Sequence, residues 1–170
     1  MSTAPTHDPR FVADLMAREP IVVRVDGLLA DAAGLMDRHG ISGLPVVDAD
    51  GQLAGVISET DLLRARATPH LWASWANLRV RHLMTTPALT VLGSQPLAVA
   101  ARKMERHHVS RLVVVAEEDG GRPVGVIAIA DLLRVMAAGA GGLPGDDETD
   151  DAHDVAGVAS TGPDTEDPGD

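Results

Sequence analysis

The tetrad Ser58-Glu59-Thr60-Asp61 is the densest group of chemically useful side chains in the sequence, placed just after an apolar run and at the start of a helical pattern. Its simplest reading is architectural, because a serine N-cap with an acid three positions on is close to a capping box and needs no ligand. The acid recurs as Asp131 in Ala128-Ile129-Ala130-Asp131, where the capping hydroxyl is missing. An acid that persists without its hydroxyl weakens the purely capping explanation, although the helix dipole favours a carboxylate there in any case. Other chemistries are poorly provided for. His39 and His107 end equivalent helical patterns, where a cationic or hydrogen-bonding residue is ordinary. His107 and His108 are adjacent, point to different sides and do not form an i, i+4 ligand pair, so no metal site is expected. Gly139-Ala140-Gly141-Gly142 follows a helical pattern and is not a dinucleotide fingerprint, and there is no P-loop. Nothing places a nucleophile beside a base, so no catalytic residue is expected.

The elements that must position the two acids are written twice. Asp14-Leu15-Met16 with Pro20-Ile21-Val22-Val23 returns as His82-Leu83-Met84 with Pro87-Ala88-Leu89-Thr90. Met36-Asp37-Arg38-His39-Gly40-Ile41-Ser42 returns sixty-eight residues later as Met104-Glu105-Arg106-His107-His108-Val109-Ser110. Gly55-Val56-Ile57 and Asp61-Leu62-Leu63-Arg64 return seventy residues on, the two extra residues falling in the second turn, Glu117 to Pro123. In each copy a helical stripe comes first: Leu28, Ala32, Leu35 and Met36, then Leu97, Val99, Ala100 and Met104. Two apolar runs across an Asp-Gly loop, Leu44–Val47 and Leu53–Ile57, predict a hairpin, and a helix follows from Glu59 or Ile129. Units of roughly 55–60 residues bury little alone, so the two are expected to pack together. The expected organisation is a disordered N-terminus over 1–10, repeat one over 11–67, a linker over 68–79, repeat two over 80–139 and a disordered acidic tail over 140–170. Trp72 and Trp75, i, i+3 in the linker, are expected to cover a subunit or repeat surface.

Composition sets the outer limits. The chain has 170 residues with fourteen Lys plus Arg against twenty-five Asp plus Glu, a formal charge of −11. Ten of the acids lie beyond residue 140 with no Lys or Arg among them, which leaves the body near −1. A tail with no hydrophobic period cannot offset its ordering entropy by burial. Phe11, Trp72 and Trp75 are the only aromatics, so the core is aliphatic, and nucleic-acid binding by stacking or by a basic face is not supported. The absence of cysteine excludes disulfides, thiolate metal sites and a cysteine nucleophile. MSTAPTHDPR has no apolar run of signal-peptide kind and no stretch approaches the roughly 18 apolar residues that span a bilayer, so a soluble cytoplasmic protein is the expectation.

The repeated helix, LPVVD-like strand, Gly-hydrophobic-hydrophobic-Ser/Thr-x-x-Asp and closing helix strongly resembles the CBS domain, named for cystathionine β-synthase, and two in tandem look like a Bateman module. The resemblance covers about Val12 to Ala138. GLPVVDADGQLAGVISETDLL fits the pattern throughout, whereas SRLVVVAEEDGGRPVGVIAIADLL lacks its Pro and its Ser/Thr. The resemblance implies an α/β fold of two pseudo-symmetric repeats, each a helix, β-hairpin and closing helix with short flanking strands, packed through their sheets. It implies an adenosine-containing ligand (AMP, ADP, ATP, NAD or S-adenosylmethionine) in clefts between the repeats, acting as a regulatory ligand with no cofactor required. Carried over by residue, Asp61 would accept hydrogen bonds from both ribose hydroxyls, and Ser58 would bind ribose or phosphate oxygen while capping its helix. Ile41, Ser42 and Gly43 would line the adenine and phosphate side, and Val22 would form an aliphatic wall.

In the second repeat Asp131, Val109, Ser110 and Arg111 match those positions. Arg111 stands where the first repeat has Gly43; it would supply fixed charge for a polyphosphate, or else pair with Glu105 or Glu117. With Ala128 in place of the hydroxyl, one competent site near Ser58 and Asp61 is expected, with an altered one near Asp131. The function implied is a non-enzymatic regulatory module. The alternative is a ligand-independent protein for dimerisation and docking of an unidentified regulated partner. A homodimer through the faces of Leu62-Leu63 and Leu132-Leu133-Val135-Met136 is expected under either, with no nucleic acid or membrane as partner.

Overall fold

The computed structural model describes residues 10–118 and 121–138. The segments expected to be disordered, 1–10 and 140–170, lie outside the described residues except for Arg10. The chain runs α1 (Val12–Leu15), β1 (Ala17–Arg18), β2 (Val23–Arg24), α2 (Leu29–His39), β3 (Gly43–Val47), β4 (Leu53–Ser58), α3 (Glu59–Ala67) and α4 (Pro69–Ala73). After single 3-10 turns at Trp75–Asn77 and Val80–His82 come β5 (Thr90–Leu92), α5 (Leu97–His107), β6 (Arg111–Val115), β7 (Pro123–Ala128) and α6 (Ile129–Ala137). Among the described residues no helix is long and apolar enough to cross a membrane.

The duplicated sequence yields duplicated geometry. Both hairpins, β3–β4 and β6–β7, are antiparallel and carry a register shift at the same place, Val46/Val47 and Val114/Val115. In each repeat the hairpin is extended by a short parallel strand, β2 beside β3 and β5 beside β6. Both first helices end on a left-handed residue, Gly40 at φ 61 and His108 at φ 52, which turns the chain into the next strand. The first stripe begins one residue later than its spacing predicts. Leu28 is the extended N-cap of α2 and half-buried, while Leu29 is fully buried. In α5 the buried positions are Leu97, Ala98, Ala100 and Met104, with Val99 only half-buried.

Side chains alternate along the hairpin strands. Leu44, Val46 and Ile57 point to one core, and Leu112, Val114 and Ile127 to the other, each beneath its repeat's helices. The opposite sheet faces carry Pro45 and Val56 in one repeat and Val113 and Val126 in the other, and these four border a shared cavity.

The two repeats exchange their leading segments. Val12, Leu15 and Met16, which open repeat one, pack in the core of repeat two. Leu78, Val80, Leu83 and Met84, which open repeat two, pack in the core of repeat one. The exchange continues in the sheets: β1 pairs antiparallel with β7, and Thr85 makes the equivalent bridge to Val56 in β4. A glycine admits each incoming segment. A Cβ on Gly55 would stand 2.5 Å from the Thr85 carbonyl oxygen, and one on Gly125 would stand 2.7 Å from Met16 Sδ and 2.9 Å from the Ala17 carbonyl oxygen.

The linker does not leave both tryptophans on the surface. Trp75 packs against the first core, while Trp72 remains exposed with its ring 4.6 Å from the Arg66 guanidinium.

Candidate functional site

Asp61 is the only buried charged residue among the described residues. A buried carboxylate is costly unless its oxygens are hydrogen-bonded. At Asp61, Oδ2 accepts the Ser58 N–H at 2.9 Å and the Ser58 hydroxyl at 2.7 Å, while Oδ1 accepts Arg64 Nη1 at 3.2 Å. Ser58 is the N-cap of α3, its hydroxyl donating to Asp61 Oδ2 while the N3 acid accepts the N-cap N–H, as in a capping box.

In the second repeat the Ala128 N–H donates to Asp131 Oδ2 at 2.8 Å and Arg134 Nη1 to Oδ1 at 3.2 Å. Without a hydroxyl there, the Asp131 side chain is 20% exposed against 5% for Asp61.

A cavity of about 390 Å³ opens between the repeats beside Asp61. Of the residues expected to form a site, Ser42, Gly43, Ser58, Asp61, Val109, Ser110 and Arg111 line it. Ile41 instead packs against the first core. Val22 is 38% exposed and does not border this cavity, and neither does Asp131. The aliphatic wall facing Asp61 is built from Pro87 and Leu89. Leu89 precedes β5, which stays beside β6 of its own repeat, and the strand registers make Ile21 its counterpart in repeat one. Sequence reasoning also misses Pro45, Val56, Val113 and Val126 as lining residues; their strand alternation marks them as the faces turned away from the two cores.

Arg111 crosses from one repeat to the other. Its Nη2 donates to Ser42 Oγ, and among the described residues it pairs with neither Glu105 nor Glu117. Gly43 and Arg111 begin the equivalent strands β3 and β6 and pair with the equivalent residues Ser58 and Ala128. They also meet each other, since a Cβ on Gly43 would stand 3.4 Å from Arg111 Nη1 and 3.6 Å from its Cδ. At the far end of the hairpins the two turns touch as well, the Leu53 N–H donating to the Gly121 carbonyl at 3.2 Å.

The arrangement presents the carboxylates of Asp61 and Glu59, serine and threonine hydroxyls, the His108 imidazole, aliphatic walls and the Arg111 guanidinium to a single space between two bodies. That set can recognise a compact molecule with hydroxyls, an apolar ring and an anionic group. Among the described residues no group of three or more His, Asp or Glu is placed to hold a metal ion.

Comparison with known proteins gives a consistent picture. A family model described as CBS domain matches residues 12–68 and again 80–138. The CBS domain pair of protein MJ0100, solved in complex with 5'-methylthioadenosine and S-adenosyl-L-methionine, superposes with a TM-score of 0.68 at 27% identity, over 77% of this chain and 99% of that one. CBSX2, solved in complex with AMP, superposes with a TM-score of 0.66 at 29% identity, over 76% of this chain and 98% of that one. Among curated proteins, a homoserine O-acetyltransferase of Methanococcoides burtonii is 33% identical over 125 residues, which is 74% of this chain and 24% of the relative. The chain thus spans about a quarter of that relative's length.

Proposed function

Because the chain belongs to the CBS domain family, as a tandem pair, we propose that it is a non-enzymatic regulatory module that binds an adenosine-containing ligand in the cavity beside Asp61. The observation that carries this reading is the buried Asp61 carboxylate at the edge of a cavity lined by both repeats. A carboxylate offers about four lone-pair sites, and three are taken by Ser58 and Arg64. The remaining capacity suits one ribose hydroxyl, and the Ser58 hydroxyl can turn towards the other. Pro87, Leu89, Val113 and Val126 then hold the base by aliphatic contact, as a chain without nearby aromatics requires. The adenosine derivatives in the MJ0100 and CBSX2 structures support the ligand class.

Regulation follows from the position of the cavity. A ligand touching both repeats favours whichever relative geometry closes on it, by no more than its differential affinity for the two geometries. Isothermal titration of the full chain with AMP, ATP, NADH and S-adenosylmethionine tests the reading. Binding of at least one of them, lost in Asp61→Ala, is expected; no binding of any up to millimolar concentration rejects it.

A further inference from the structure

We propose that His82 is an acid-sensitive latch on the segment that repeat two contributes to repeat one and to the cavity wall. The duplicated chain supplies its own comparison, because each leading segment docks on the other repeat through the same three backbone bonds. Val12 and Ala13 donate to the Gln95 and Gly93 carbonyls, and Leu97 donates to that of Arg10. Val80 and Arg81 donate to the Gly27 and Val25 carbonyls, and Leu29 donates to that of Leu78. A side chain then closes each docked turn. Asp14 Oδ2 accepts the Phe11 N–H at 2.9 Å, and His82 Nδ1 accepts the Arg79 N–H at 2.9 Å. At this one position the acceptor is a carboxylate in the first segment and an imidazole in the second.

That difference makes one bond conditional on pH. A backbone N–H can only donate, so it needs the lone pair of a neutral imidazole, and a proton on Nδ1 puts a second donor in its place. Histidine changes charge between about pH 5 and 8, whereas a carboxylate remains an acceptor throughout that range. The bond is therefore present above the histidine range and lost as the pH falls through it. The surroundings offer an imidazolium little compensation. Its own turn carries Arg79 and Arg81. The chain it docks against carries Asp26, already held by Arg24 at 3.1 Å, and α2 carries Asp31 in its first turn. Among the described residues His82 makes no ion pair. The effect reaches the cavity through the chain. Thr85, three residues beyond His82, exchanges backbone bonds of 2.8 and 3.0 Å with Val56, and both Thr85 and Pro87 line the cavity. Losing the Arg79–His82 bond frees the start of the segment that holds them there.

Solvent exchange of backbone amides in the full chain, followed by NMR at pH 7.5 and pH 5.5 and corrected for intrinsic rates, tests this without any ligand. Its outcome is thus independent of the adenosyl reading. A cap of ordinary strength predicts that the Arg79 amide is about fivefold better protected at the higher pH. The Thr85 amide should follow it, while the Phe11 amide, held by Asp14, should change by no more than about twofold. In His82→Asp, which copies the first segment, and in His82→Asn, which supplies a neutral acceptor, Arg79 should be equally protected at both pH values to within about twofold. Equal protection of the wild-type Arg79 amide at both pH values, an equal loss at Phe11, or an acid-induced loss that persists in both variants overturns the proposal. A Thr85 amide that stays protected while Arg79 does not overturns the link to the cavity wall. The comparison of Arg79 with Phe11 is internal to the wild-type chain, so it decides the matter even if neither variant folds.

Discussion

The Ser58 hydroxyl donates to Asp61 Oδ2 at 2.7 Å, and this bond is what distinguishes the acid of the first repeat from its counterpart Asp131. The remaining contacts correspond one for one: an N-cap amide to Oδ2 and an arginine three residues on to Oδ1, in both repeats. With the hydroxyl present the carboxylate is buried; with Ala128 in its place the carboxylate is more open. That oxygen atom is the one difference between the two sets of contacts.

Exchanging that oxygen between the repeats should exchange the property. Ser58→Ala removes a hydrogen bond to a charged acceptor and is expected to cost about 1–2 kcal/mol of unfolding free energy. Ala128→Ser restores the same geometry around Asp131 and should be neutral or stabilising by up to about 1 kcal/mol, because the acceptor there is already oriented. Urea unfolding of both variants measures this. Equal costs in the two repeats would show that the Ser58 bond is not worth more than the helix propensity it displaces.

The segment exchange depends on two glycines. Placing a methyl at Gly55 requires the Thr85 backbone to retreat from 2.5 Å, and no side-chain rotation can relieve a clash with a carbonyl oxygen. At Gly125 part of the clash is with Met16 Sδ, the far end of a flexible side chain, although the Ala17 carbonyl at 2.9 Å remains. Both alanine variants should destabilise in the range of about 1–3 kcal/mol expected for overpacking, with Gly55→Ala the more severe. Thermal unfolding gives the order. A Gly55→Ala protein as stable as wild type would mean that the leading segments are not held against β4.

The aliphatic lining of the Asp61 cavity includes Leu89 and not Val22. Leu89→Ala should therefore weaken Asp61-dependent AMP binding by several-fold, of the order expected for two or three methylenes withdrawn from an apolar contact. Val22→Ala, at a residue outside this cavity, should leave that binding within about twofold. Titration calorimetry on the two variants separates them, and the reverse pattern would place the wall at Val22 instead.

Much of this architecture is legible in the sequence because the chain states it twice. The matched runs Leu44–Val47 and Leu112–Val115, and the recurring Asp61 and Asp131, locate the hairpins and the helix starts that hold the acids. The exchange of leading segments is not legible. A linear repeat shows which residues correspond but not which body each copy packs against, and the apolar Val12, Leu15 and Met16 would suit either core. The start of α2 is likewise ambiguous, since Leu28 and Leu29 both fit the helical spacing and only the extended conformation of Leu28 decides between them. The contact of Arg111 with Ser42 joins residues sixty-nine positions apart in sequence and depends on how the two sheets face each other, which no local pattern encodes.

The two closing helices leave equivalent leucines in solvent, and this bears on self-association. The apolar pairs expected to form one face divide in the structure. Leu62 and Leu132 turn towards the cores, whereas Leu63 is 68% exposed, Leu133 55% and Met136 60%. Such large apolar side chains, on corresponding positions of α3 and α6, form a surface that a second copy can cover with the same residues, as a two-fold contact requires. Leu133→Glu adds a charge at an exposed position, so it should leave unfolding free energy within about 0.5 kcal/mol of wild type. In a self-complementary contact each charge is introduced twice, once from each copy, so association should weaken far more than folding does. Sedimentation at micromolar concentration is expected to show a dimer for the wild-type chain and a monomer for Leu133→Glu. A wild-type monomer, or a dimer indifferent to both Leu133→Glu and Met136→Glu, would rule out this face as the contact. Repeating the wild-type run with saturating AMP then asks whether association depends on ligand: an unchanged dimer favours docking independent of nucleotide, and a shifted one ties the cavity to the assembly.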